Sequence, residues 1–123
     1  MTQEELKERF KKFALEVVQF AETLPDIPRY RTVQFQIIKS GTSSAANYRA
    51  SCRRKSTKDF IAKLGIVEEE LDETLFWLEF IVGLSNDWRP TITPLWKEGN
   101  ELLAITVSSI KTSRKNQKKP PNQ

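Results

Sequence analysis

Histidine is absent from this 123-residue chain, and the absence removes a wide range of chemistry. There is no imidazole to act as a general base, to activate a serine or cysteine, or to bind a metal. The one cysteine, Cys52, cannot form an internal disulfide or build a thiolate zinc site. A reducing cytoplasm is the compartment this implies. Four glycines are scattered along the chain, and none belongs to a phosphate-cradling loop. No apolar run approaches the roughly 18 residues of a membrane-spanning helix. The start, Met1-Thr2-Gln3-Glu4-Glu5, is acidic and polar, unlike a secretory signal. An enzyme would have to work with carboxylates, lysines and arginines alone. The expectation is therefore a binding protein, not an enzyme, with no cofactor, metal or membrane association.

What is present is helical periodicity. Leu6, Phe10, Phe13, Val17, Phe20 and Leu24 recur at alternating spacings of four and three. They predict a first helix from Thr2 to Leu24, capped by Thr2 with Glu5 and ended by Pro25 and Pro28. A second helix is predicted from Arg29 to Arg53, with Val33, Ile37, Ala45, Tyr48 and Cys52 in phase. Its centre, Ser40-Gly41-Thr42-Ser43-Ser44, is poor helix by propensity. The flanking phase favours helix with a close neighbour, and a flexible loop over 40–44 is the alternative. The third helix is capped by Ser56 with Asp59 and runs to Leu84. Phe60, Leu64, Val67, Leu71, Leu75, Leu78 and Val82 form its stripe. The fourth is predicted to start at Thr93-Pro94 and to carry Leu102, Leu103, Thr106 and Ile110. Short connections make consecutive helices antiparallel. The expected fold is all-α: an antiparallel up-down-up-down four-helix bundle over residues 1–111. Residues 112–123 have no apolar side chain but proline and are expected to form a disordered basic tail.

Two features exceed what a plain bundle needs. Helix 3 carries Phe76, Trp77, Phe80 and Ile81 off its main stripe. A helix apolar on several sides must be covered on several sides, by a thick local core or, the favoured reading, by another subunit. Charge is also segregated. Between Arg49 and Lys63 stand six cations and one acid; between Glu68 and Glu79 stand six acids and no cation. Arg49, Arg53, Arg54, Lys55 and Lys58, joined by Arg114, Lys115, Lys118 and Lys119 of the tail, are the candidate phosphate-binding residues. In an up-down-up-down bundle the turn and the tail share one pole. The bland alternative is a solvated corner paired with acids. The acidic run could hold a metal, but di-iron bundles need histidines. Pairing with the basic cluster of a neighbouring subunit is the better account. Asn47, in the helix 2 stripe, is expected to complete a hydrogen bond, and Cys52 to be a small buried apolar residue.

The stretches Ser43-Ser44-Ala45-Ala46-Asn47-Tyr48-Arg49-Ala50, Arg53-Arg54-Lys55-Ser56, Asp59-Phe60-Ile61-Ala62-Lys63-Leu64 and Glu68-Glu69-Glu70-Leu71-Asp72-Glu73-Thr74 resemble the four-helix bundle proteins of the 23S rRNA-intervening-sequence type. The match covers helices 2 and 3, about half of the chain. Many members follow the asparagine with Ile-Ala-Glu-Gly, whereas this chain has Tyr48-Arg49-Ala50-Ser51. The resemblance implies an antiparallel bundle, assembly into a homopentamer, and a relation to the accessory proteins of diversity-generating retroelements. Those accessory proteins bind nucleic acid and a reverse transcriptase, so RNA or DNA and a reverse transcriptase become the implied partners. The family has no known catalytic residue. Asn47 and Glu73 match its motif positions and are read as structural.

Overall fold

The computed structural model describes residues 1–118. Within them lie four α-helices: α1 (Gln3–Ala21), α2 (Pro28–Ser51), α3 (Thr57–Leu84) and α4 (Arg89–Gln117). A short 3-10 turn, Asn86–Trp88, joins the last two, and the described residues contain no strand. The Thr2 hydroxyl accepts the Glu5 N–H, and the Ser56 hydroxyl accepts the Asp59 N–H, as the capping patterns require. Region 40–44 is helical throughout.

Three boundaries differ from the sequence expectation by three residues or more. α1 stops at Ala21 because the Thr23 and Leu24 N–H groups bond to Phe20 and Ala21 in tight turns, and Pro25 keeps the residue before it out of the helical region. α4 starts at Arg89, not at Thr93. Pro90 sits in the first turn, where no backbone donor is needed, and Pro94 lies inside the helix. The Thr93 hydroxyl donates back to the Arg89 carbonyl and caps nothing. α4 also continues to Gln117, so residues 112–117 are helical where disorder was expected. Elongating an existing helix costs little. Lysine, arginine and glutamine are good helix formers, and cations at a C-terminus complement the helix dipole. The rest of the expected tail, from residue 119 on, lies outside the described residues.

Contacts set the directions. Phe10 stacks on Tyr48 while Gln34 donates to the Ala21 carbonyl, so α1 and α2 run antiparallel. The Thr74 hydroxyl donates to Ser40, and Trp88 donates to the Tyr30 hydroxyl, which reverses α3 against α2. Trp96 donates to Glu79, and Gly99 lies against Leu75, so α4 reverses again. Arg9 reaches Glu98 and Glu101 to close α1 on α4. Hydrogen bonds to Glu98 and then Glu101 hold the Arg9 guanidinium charged, well above its ordinary pKa.

The core is one cluster fed by all four helices, with Phe10, Ile37, Leu71, Leu78 and Leu102 fully enclosed. The small residues of α2 explain their own presence. Ser40, Gly41 and Ser44 are buried, and a Cβ on Gly41 would stand 3.0 Å from a Val17 methyl. A larger side chain there would push α1 away. The buried hydroxyls satisfy themselves within the helices: Ser44 on Gly41, Ser51 on Tyr48, Thr106 on Leu102. Among the described residues no buried side-chain polar atom lacks a partner, as a stable core demands.

Candidate functional site

The α2–α3 turn is built so that its cations stay free. α2 ends at Ser51, so Arg53, Arg54 and Lys55 fall in the turn and Lys58 in the first turn of α3. The local acid, Asp59, is fully committed. It accepts the Lys55 backbone N–H at 3.2 Å and the Lys63 ammonium at 2.7 Å. The Lys63 bond, then the Lys55 N–H, holds its carboxyl below the usual range. Arg49, Arg53, Arg54, Lys55 and Lys58 are exposed, and among the described residues none of them forms an ion pair. The Arg54 guanidinium lies over the Phe60 ring, 4.4 Å from its centroid. This contact orients the charge without neutralising it.

α4 brings further charge to the same end. With Leu75 level with Gly99, the antiparallel register places Thr57 level with Gln117. The exposed Lys111, Arg114, Lys115 and Lys118 therefore reach the level of the turn along the last turns of α4. Lys119 lies outside the described residues. The acids of α3 sit further along the bundle, and among the described residues none pairs with the pole. Glu79 accepts from Trp96 and Glu73 from Trp77. Glu70 is pushed up by burial first and by Glu73 second, with Lys39 opposing.

A groove of about 440 Å³ opens beside the pole, between α1 and α2. Ala45 and Ala46 are among its lining residues. Arg49 and Arg53 line one wall, Lys7 and Lys11 the other, with Glu4 and Glu8 among them. Sequence reasoning missed Lys7 and Lys11. Their spacing of four on one side of α1 was visible, but only packing shows that this side faces α2.

On the outer side of α3, Phe76 and Phe80 are 52% and 41% exposed, and they are neighbours on the helix surface. With the half-buried Trp77 they form a mutually packed trio, ring centroids 4.9 to 6.0 Å apart. Ile81 does not belong to this face. It is fully buried in the chain's own core, because it follows Thr74 and Leu78 at helical spacing on the inner side. The Asn47 amide donates to the carbonyl and hydroxyl of Ser43. Cys52 is half-buried at the edge of the core, more open than the sequence suggested. Burial, and then Cys52, raises the pKa of the neighbouring Tyr48 hydroxyl. No helix is long and apolar enough to cross a membrane among the described residues.

Fold and surface together define an antiparallel four-helix bundle with a basic end and an aromatic flank. The chain belongs to the 23S rRNA-intervening sequence protein family, whose model matches residues 3–108. It is similar to a crystal structure from Bacteroides thetaiotaomicron VPI-5482, a protein with unknown function from the S23 ribosomal protein family. The two share 30% identity and a TM-score of 0.82, over 90% of this chain and 99% of that one. Comparison with curated proteins gives no match. The turn cations lie inside the family match, whereas Lys111, Arg114, Lys115 and Lys118 lie beyond its end.

Proposed function

We propose that this chain is a non-enzymatic, homopentameric scaffold that binds nucleic acid through the basic pole. One observation carries the reading: among the described residues, five exposed cations at the α2–α3 turn have no acidic partner, and the basic end of α4 stands level with them. Unpaired cations on a rigid end are suited to polyanions, because each phosphate contact releases counterions. The aromatic trio on α3 supports self-association, since about half of the Phe76 surface is open to solvent in a single chain.

The test is fluorescence anisotropy of labelled RNA and DNA oligomers across a salt series. The variant R54A/K55A/K58A should weaken binding to every sequence and lower the salt slope by about 2 to 3, at roughly 0.7–0.9 per lost contact. Absence of binding by the wild type at low salt, or a variant with an unchanged slope, refutes the reading. A pole that serves as an adaptor for an acidic protein, a reverse transcriptase among them, would instead keep its partner after nuclease treatment and bind no oligomer.

A further inference from the structure

The α1–α2 groove has a charge order that the pole alone does not explain. Phe10 stacks on Tyr48 at 4.5 Å and sets the level of the two helices. Antiparallel register then places Lys11 level with Asn47 and Lys7 level with Ser51. The cations from the two walls interleave along the groove as Lys11, Arg49, Lys7, Arg53, about 3 Å apart along the axis. Arg53 belongs both to this ladder and to the turn, so the groove continues the pole down the side of the bundle. Glu8 and Glu4 sit among these cations, and Glu4 holds the Lys7 ammonium at 2.5 Å. Glu4 is 80% exposed, and a surface pair of this kind is weak enough to yield to a phosphate. Four cations against two acids leave the groove net positive.

We propose that this groove seats the sugar–phosphate backbone of a single nucleic-acid strand, an inference that rests on the nucleic-acid reading of the pole. Three features select that ligand. The walls are neighbouring helices, whose axes pack about 8–10 Å apart. A furrow between directly packed helices is narrower than a duplex, which touches only its rim. Ala45 and Ala46 in the lining are small, so a backbone can approach closely. The lining contains no aromatic side chain on which a base could stack. Phe10 and Tyr48 lie buried, stacked on each other. Binding is therefore through phosphates and independent of sequence.

The experiment compares homopolymer single strands with a blunt duplex, using wild type, K7A/K11A, K7R/K11R and the turn variant R54A/K55A/K58A. Circular dichroism checks that each is folded. Loss of two phosphate contacts on a single strand lowers the salt slope by about 1.4, which is about 25-fold in affinity at 0.1 M salt. K7A/K11A should show that loss on single strands and much less on the duplex, and K7R/K11R should restore it. If K7A/K11A binds single strands like the wild type while the turn variant fails, the groove assignment falls and the pole reading stands. Tighter wild-type binding to the duplex also overturns the assignment. If the wild type binds neither, the reading beneath it fails as well.

Discussion

Two glycines in helices should respond differently to the same substitution. Gly65 in α3 has nothing within 4 Å of where a Cβ would stand. Gly65→Ala therefore gains only the helix-propensity difference, a stabilisation of about 1 kcal/mol. Gly99 in α4 lies where three helices meet. A Cβ there would stand 2.9 Å from Phe13 Cζ and 3.0 Å from Leu75 Cδ2. Phe13 is 1% and Leu75 5% exposed, so neither has room to withdraw. Overpacking of this kind costs about 1–3 kcal/mol, which cancels or exceeds the same propensity gain. Gly99→Ala should be neutral to about 2 kcal/mol destabilised, and the two variants should differ by about 1–3 kcal/mol. Urea unfolding followed by helical circular dichroism, at one fixed protein concentration, measures this. The reasoning fails if Gly99→Ala is as stable as Gly65→Ala. That result would mean that α4 is free to move outward and that the close approach at Gly99 does not hold the bundle together.

Other outcomes follow from the charges and the aromatic flank. Burial raises the folded pKa of Glu70 above its unfolded value. Its favourable contribution is thus present below the unfolded value and is lost as pH rises through the folded one. Glu70→Gln should stabilise the protein near neutral pH, with the gain fading in acid; a gain independent of pH would contradict the burial argument. Phe76→Ser with Phe80→Ser should reduce the particle mass in size-exclusion chromatography with light scattering, while helix content is kept. A wild type that already elutes with the mass of one chain would refute self-association.

The boundaries that sequence reasoning placed well were those set by local chemistry. Thr2 and Ser56 are caps whose partners lie three residues away, and the Leu64–Leu71–Leu78 stripe is a matter of spacing. Where it erred, the deciding energy was of another kind. Pro94 reads as a helix start, but one lost hydrogen bond is tolerable when Ile92, Leu95 and Gly99 are already seated in the core. The basic stretch after Lys111 reads as disorder, because composition does not show that an existing helix continues cheaply. Ile81 reads as surplus apolar surface, because the line alone does not separate inner from outer when a helix is apolar on many sides.

The sequence by itself determined the all-helical class, the four-element count and the excess of cations around residues 49–58, since propensity, periodicity and charge are local properties. Only the tertiary structure decided which of those charges are free. Asp59 is spent on Lys63 and the Lys55 N–H, and α1 turns Lys7 and Lys11 toward Arg49 and Arg53. Pairing and facing depend on distances between helices far apart in the chain, and those distances come from packing.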